Sequence, residues 1–354
     1  MKKHSLALIA GDGIGTEAVP AAQTILDAVA PRFAFNFEAH AYDWGSEYYL
    51  RNGRMMPENA IDQLRRHDAI LLGAIGHPQI PDYVTLHGLL LPIRRAFDQF
   101  ANIRPAIMYE GVESPLKKLR AGDVDMVVVR ENTEGEYAPI GGFVHSGHAQ
   151  EVAVQTAVFT KHGIQRVVRF AFELARKRAG KRRVTSVTKS NAQSYSMVLW
   201  DRVFKDVAAG FPDIATESLL VDAAAMNFVR RPETFDVVVA SNLFGDILSD
   251  VSAIVTGSIG LAASANLDPT HRFPSMFEPV HGSAPDIAGR GIANPLAMIL
   301  STAMMLDHLG FGKAARAVDS AVRSVLKEGN VRTPDLGGAS STSEVAAAVV
   351  EHLS

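Results

Sequence analysis

Phe235 to Ala240 is an apolar, β-branched run of strand length. It passes without a linker into Ser241-Asn242-Leu243-Phe244-Gly245-Asp246-Ile247-Leu248-Ser249-Asp250. A buried strand that feeds straight into a helix is the repeating unit of α/β folds. On that helix Asp246 and Asp250 stand four apart and share one face. Their neighbours Ile247 and Leu248 are apolar, so this end of the helix is expected to be packed. Two like charges at such a place repel and cost desolvation energy unless a cation or base neutralises them. A third acid, Asp222, closes Leu219-Leu220-Val221-Asp222 at the end of another apolar run. Three convergent Asp oxygens suit Mg²⁺ or Mn²⁺, hard cations that keep positions open for water and substrate. The plain alternative is a helix with two solvated acids and an unrelated third, and the rest of the chain decides between them.

The alternation continues along the chain. Leu6 to Ala10 reads as a strand and Glu17 to Val29 as a helix; Ala69 to Leu72, Ile103 to Met108 and Val124 to Val129 are further apolar runs of strand length. Ile164 to Arg178 is amphipathic and precedes a strand at Arg183 to Thr188. The last third reads as mostly helical, with segments at Ala293 to Leu309, Ala314 to Lys327 and Ser343 to Leu353. At 354 residues the chain exceeds one simple core and fits two domains or one large α/β unit. No repeat, low-complexity tract or long linker marks a boundary. One segment breaks the pattern: Ala138 to Lys161 holds Gly141-Gly142, His145-Ser146-Gly147-His148 and the β-branched run Val152 to Phe159. This is a hairpin pattern. The hairpin either packs on its own domain or forms an arm that pairs with another subunit.

Composition removes several classes of function. With no cysteine, disulfides, thiolate metal sites and a cysteine nucleophile are excluded, which fits a reducing compartment. The apolar run before Gly11 is too short for a signal-peptide core or a membrane span, so a cytoplasmic protein is expected. A net charge of −3 gives no electrostatic case for nucleic acid. The one basic cluster, Arg176-Lys177-Arg178-Ala179-Gly180-Lys181-Arg182-Arg183, falls where a helix ends near Gly180, and there cations complement the helix dipole.

Gly11-Asp12-Gly13-Ile14-Gly15-Thr16-Glu17 lies between the first strand and the first helix. Thr16 stands where a dinucleotide fingerprint needs its third glycine, and no acid clearly ends a second strand at the usual distance, so a Rossmann assignment is rejected. The glycines still imply a tight turn that lets backbone approach a ligand. Arg94, Arg104 and Arg130 are candidate anion binders; Arg130 ends Val127-Val128-Val129 and opens Glu131-Asn132-Thr133-Glu134-Gly135-Glu136-Tyr137. Beside a divalent-metal site they suggest a di- or tricarboxylate substrate. Tyr137 and Lys189 are the candidate proton-transfer groups; a lysine near cations or desolvated has a lowered pKa and can act as a base. Phe277-Glu278-Pro279-Val280-His281-Gly282-Ser283-Ala284-Pro285-Asp286-Ile287-Ala288-Gly289 reads as a loop by composition and is a candidate ligand loop.

Together these motifs resemble the metal-dependent β-decarboxylating dehydrogenases, the isocitrate and isopropylmalate dehydrogenase family with its tartrate/D-malate branch. The most specific segments are Asn242 to Asp250 and Glu278 to Asp286, and the likeness runs from Gly11 to Thr333-Pro334-Asp335-Leu336-Gly337-Gly338. The resemblance implies an α/β, isopropylmalate dehydrogenase-like two-domain fold that is not Rossmann. Its first domain would be discontinuous, residues 1–102 plus 256–354. The second, 103–255, would carry metal, substrate and dimer contacts, with an arm at about 138–161. Active sites would be shared across a homodimer, Lys189 and Asp222 coming from the partner chain.

The resemblance also implies roles. Asp222, Asp246 and Asp250 would hold Mg²⁺ or Mn²⁺. Arg94, Arg104 and Arg130 would clamp carboxylates, with Leu90 and His87 beside them. Lys189 would take the hydroxyl proton and Tyr137 would protonate the carbon after CO₂ leaves. Ile14, Glu278, His281, Gly282, Ser283, Ala284, Asp286, Ile287 and Asn294 would line the cofactor site, with Asp286-Ile287 matching the NAD-preferring members, since an Asp repels a 2′-phosphate. NAD and the divalent metal are the implied cofactors, with a monovalent cation such as K⁺ as an optional addition. Leu90 and Leu91 argue against isocitrate. Asp43 to Leu50, Met55-Met56-Pro57, Phe97 to Phe100 and Thr188 to Asn191 resemble the tartrate/D-malate branch, whereas Ala223 to Met226 resemble isopropylmalate dehydrogenase. D-malate or tartrate is the expected substrate, 3-isopropylmalate or another 3-substituted malate the alternative. A non-catalytic regulatory subunit is disfavoured because Tyr137, Lys189 and the three Asp are all present. Neither nucleic acid nor membrane is an expected partner.

Overall fold

Leu6 to Ile9, four consecutive apolar residues in the first strand, are all buried. A strand covered on both faces requires layers above and below it. The computed structural model describes residues 3–353. Its strands are β1 (Lys3–Gly11), β2 (Asn36–Tyr42), β3 (Ala69–Ala74), β4 (Ala101–Ile107), β5 (Asp125–Glu131), β6 (Gly141–Val144), β7 (Val152–Gln155), β8 (Arg183–Thr188), β9 (Ala215–Leu220), β10 (Val237–Ala240), β11 (Ala263–Leu267) and β12 (Ser275–Pro279). β6 and β7 pair with each other, and the rest form one ten-stranded sheet in the order β2-β1-β3-β12-β11-β4-β5-β10-β8-β9. The β12–β11, β11–β4 and β4–β5 pairings are antiparallel. The parallel strands on either side therefore run in opposite directions. This is the expected non-Rossmann α/β architecture.

Besides a smaller core of Ile9, Trp44, Leu72, Phe97 and Met276, two large apolar cores cover the sheet. One gathers Leu6, Val19, Ile25, Phe277, Met298 and Val345; the other gathers Val127, Phe172, Trp200, Val238 and Leu248. Ile103 and Phe170 pack against both. The helix Lys161–Arg178 shows how such a face forms. Thr160 caps it by accepting from the Gly163 N–H at 2.9 Å, and Ile164, Val167, Val168, Ala171, Phe172 and Ala175 recur at helical spacing and are buried. It ends at Ala179, which takes a left-handed φ of 51° one residue before the expected Gly180. The basic residues of its last turn are paired: Arg176 with Asp213, Lys177 with Asp307, and Arg178 with Asp125 and Asp236.

Three sequence expectations are corrected. The last third is not only helical, because β11 and β12 lie in the middle of the sheet. Phe277 to Pro279 belong to β12 and not to a loop. Ile247 is not packed; it is half exposed while its neighbour Leu248 is fully buried. The hairpin forms as expected, with every residue of β6 and β7 exposed. No helix among the described residues is long and apolar enough to cross a membrane.

Candidate active site

Sheet register brings the arginines together. Residues paired across a ladder share a face, as do residues two apart on one strand. Asn102 pairs with Arg130 and with Asn266, while Ser264 pairs with Glu278. Asn102, Arg104, Arg130, Ser264, Asn266 and Glu278 thus line one polar face across four strands. The opposite face carries Ile103, Val127, Ala265 and Phe277. A cavity of about 730 Å³ opens on that apolar side, lined by none of the expected site residues, so cavity size does not mark the chemistry.

The helix Asn242–Val255 rises from the end of β10, which lies beside β5, and sets its acids over the arginines. Its first turn is held by Glu136, whose carboxylate accepts from Ser241 Oγ at 2.7 Å and from the Leu243 N–H at 3.1 Å. Asn242 donates to the Glu134 carbonyl at 2.8 Å, tying the same loop to the helix. One turn on, Asp246 Oδ1 accepts from Arg104 Nη1 at 3.1 Å and from Arg130 Nη1. Asp246 Oδ2 accepts from the Tyr137 hydroxyl at 2.7 Å. Arg104 reaches Asp250 at 3.7 Å.

These contacts set the ionisation of the cluster. Burial opposes the charge on Asp246, but Arg130, Arg104 and the Tyr137 hydroxyl outweigh it and hold the carboxyl below the usual Asp range. Burial and the Asp246 charge push the Tyr137 phenol up to about 12, so it is protonated and able to give a proton. Burial pulls the fully buried Arg130 down to about 10, with Asp246 opposing. Burial raises Asp250, which Asp246 reinforces.

Lys189 follows β8, and Asp222 opens the helix Val221–Arg230 after β9. Lys189 Nζ donates to Asp222 Oδ1 at 2.5 Å, and this bond lowers the Asp222 carboxyl. The pair has no hydrogen bond or ion pair with Asp246, Asp250 or Tyr137 among the described residues. No group of three or more acids, histidines or cysteines able to hold a metal ion occurs among the described residues of one chain. Within a single chain, therefore, the three expected metal ligands divide into Asp246 with Asp250, and Asp222 with Lys189.

Arg94, on the helix Leu91–Ala96, is buried and pairs with Glu278 at 2.8 Å. Glu278 also accepts from Asn266 at 2.8 Å, and Asn266 accepts from both Asn102 and Asn132 at 3.0 Å. His87 is exposed and Leu90 half-buried in a π-helical turn, Leu86–Leu90; such turns recur at functional sites. Two of the candidate cofactor residues, Ile14 and Ser283, touch directly. The Ile14 N–H donates to the Ser283 carbonyl at 2.9 Å, and the Gly289 N–H to Glu17 at 2.7 Å. Gly13, at φ +52°, would set a Cβ 2.0 Å from the Ser283 carbonyl, so what its bare backbone admits here is the neighbouring loop. His281 is buried with Nε2 unpartnered, Asn294 is held by Asp335 at 3.0 Å, Gly282 and Asp286 are exposed, and Ala284 and Ile287 are partly exposed.

Several residues of this site escaped sequence reasoning as individual positions: Glu136, Asn242, Ser249, Asn102, Asn132 and Asn266. The available signal was an amide at a central strand position, as in Asn102 and Asn266, which needs an internal partner.

Residues 5–349 match the isocitrate/isopropylmalate dehydrogenase family, and the chain belongs to it. It is 48% identical over 350 residues to a probable tartrate dehydrogenase/decarboxylase of Agrobacterium vitis, covering 99% of this chain and 97% of that one. It is 48% identical over 356 residues to a decarboxylating D-malate dehydrogenase of Escherichia coli, covering 99% and 98%. Among solved structures, an isocitrate dehydrogenase of Methylococcus capsulatus superposes with a TM-score of 0.89 at 38% identity, covering 99% of both chains.

Proposed function

We propose that this chain oxidises and β-decarboxylates a malate-type 2-hydroxy dicarboxylate, D-malate or tartrate, using NAD and Mg²⁺ or Mn²⁺. The convergence of Arg104, Arg130 and Tyr137 on Asp246 carries this reading, because it joins anion binders, a proton donor and a metal-type carboxylate in one cluster. The relatives named for tartrate and D-malate support the substrate class.

The donor chemistry fits a divalent cation, since Asp246 and Asp250 offer partly exposed carboxylates one helical turn apart. Asp222 of the partner subunit would complete the set. The cation would supply Lewis-acid polarisation of the substrate's 2-hydroxyl and adjacent carboxylate, while NAD would accept the hydride from C2. Arg94, Arg104 and Arg130 bind and orient the carboxylates. The Nζ of the partner subunit's Lys189, as the neutral amine, receives the hydroxyl proton as the alcohol becomes a ketone. After CO₂ leaves, the Tyr137 hydroxyl delivers a proton to C3. Glu278, His281 to Ala284, Asp286, Ile287, Asn294 and Ile14 form the cofactor side, and the exposed Asp286 carboxylate disfavours a 2′-phosphate.

A homodimer is part of the proposal, with the chain divided into domains at 1–102 plus 256–354 and 103–255. The hairpin presents Phe143, Val144 and Val154, and the helices that carry Asp222 and Asp246 present Met226, Val229, Ile247 and Ile254, all exposed. Apolar surface of this extent supports self-association. The test of function is kcat/KM for D-malate, L- and meso-tartrate, 3-isopropylmalate and isocitrate with NAD and Mn²⁺. D-malate or a tartrate leads in the expected result. A lead for 3-isopropylmalate replaces the substrate and keeps the chemistry; no NAD reduction with any of them removes the proposal.

A further inference from the structure

Resting on the reading of Asp246 as a cation ligand, we propose that this carboxylate exchanges partners. In this structure Arg104, Arg130 and Tyr137 occupy it. Cation binding releases these donors to the incoming dicarboxylate.

Both guanidiniums converge on one oxygen, Asp246 Oδ1, and the Tyr137 hydroxyl takes Oδ2 at 2.7 Å. A hard divalent cation needs a carboxylate oxygen at about 2.0–2.2 Å. A guanidinium on that oxygen obstructs the approach and repels the cation. The arginines are poorly placed to retreat. Arg130 is anchored through Nε and Nη2 to Asn242 Oδ1 at 2.9 and 2.7 Å, and Arg104 donates to Ser249 Oγ at 2.8 Å. Their side chains are 2% and 8% exposed, against 33% for Asp246. The carboxylate is therefore the partner that turns toward the cation, and the guanidinium ends stay behind.

A buried guanidinium without its anion is costly, so the next anion to arrive binds more tightly. Arg104 Nε and Arg94 Nε are buried with no partner among the described residues, so the clamp already holds spare donors for that anion. The coupling is reciprocal: the dicarboxylate strengthens cation binding as the cation strengthens dicarboxylate binding. With no dicarboxylate present, the three donors weaken cation binding.

The test is Mn²⁺ affinity of the full-length protein without substrate, read from the electron paramagnetic resonance of free Mn²⁺. Arg104→Met is expected to bind Mn²⁺ about three- to tenfold tighter than wild type. Tyr137→Phe removes a donor and no charge, and is expected to bind about twofold tighter. Arg94→Met removes a nearby charge that does not touch Asp246 and is expected to change affinity less than about twofold. Unchanged or weaker binding in folded Arg104→Met or in Tyr137→Phe overturns the exchange. Equal tightening in Arg94→Met also overturns it, by assigning the effect to charge at a distance. If Arg104→Met does not fold, Tyr137→Phe decides alone. Wild type that takes up no Mn²⁺ in the same assay removes the metal reading beneath the proposal instead.

Discussion

A Cβ on Gly245 would stand 2.6 Å from the Cβ of Arg130, so the carboxylate helix closes directly against the end of β5. The fit lets Arg130 Nη1 reach Asp246 one residue further along. Alanine favours a helix over glycine, yet here it must push helix and strand apart. Gly245→Ala is expected to destabilise by about 1–3 kcal/mol and to lower kcat/KM more than tenfold, on the order expected for a site displaced by a fraction of an ångström. Thermal melts with steady-state kinetics check it; a stabilised, fully active variant would contradict the contact.

The two acids of the helix should separate in their effects. Asp246→Asn and Asp250→Asn are each expected to lower metal-dependent turnover by about a hundredfold or more, since each removes a charged oxygen ligand. Only Asp246→Asn also uncovers two buried guanidiniums, so it alone should lose about 1–3 kcal/mol of stability. Kinetics with and without Mn²⁺, set beside denaturant titrations of both variants, measure the difference. Full activity in both would leave the carboxylates without a metal role.

Lys189 and Asp222 lie apart from Tyr137 and Asp246 within a chain, which makes a complementation test decisive. If they act across the interface, Lys189→Ala and Tyr137→Phe, each inactive alone, form mixed dimers with one site carrying both lesions and one carrying neither. About half the wild-type activity per mixed dimer is expected after subunit exchange. If Lys189 served its own chain's Tyr137, both sites would carry a lesion and verified mixed dimers would stay inactive.

Glu131 offers a pH test away from the proposed chemistry. It is fully buried, accepts from the Thr133 N–H and Oγ and from the Glu134 N–H, and burial pushes its carboxyl up to about 7. Its folded value lies above its unfolded one, so between the two the folded chain holds the extra proton. That contribution is fully present at the acidic end and is lost as pH rises toward 7. Glu131→Gln cannot titrate. The melting temperature of wild type minus that of Glu131→Gln is expected to shrink by about 2–4 °C between pH 5 and pH 8. A difference that stays constant would exclude Glu131 as the titrating group.

Local pattern in the sequence located β8 to the residue, and β10 and the helices Lys161–Arg178 and Gly312–Glu328 to within a few positions, because each has a clear apolar pattern. It missed β2, an edge strand whose residues are mostly exposed and polar. It missed β11 and β12 because their Asn, Ser and Pro resemble loop composition, while their place beside β4 and β3 depends on pairing across more than 150 residues. The family was legible in its motifs, and Arg104, Arg130 and Tyr137, each singled out in the sequence, converge on Asp246 in the structure. That Arg94 is bound to Glu278 and that Asp246 is claimed by three donors follows from packing, which a linear pattern does not encode.

Glu136 ties the loop bearing Tyr137 to the first turn of the helix bearing Asp246. Their backbones consequently belong to one piece, on which the Tyr137 hydroxyl stands 2.7 Å from the Asp246 carboxylate before any exchange of partners. Arg94 and Glu278 belong to a second piece, further along the same polar face of the sheet. On the proposed reading, fitting one dicarboxylate and rejecting a bulkier one falls to the spacing between these two pieces, whose rims are the Arg104–Arg130 pair and Arg94.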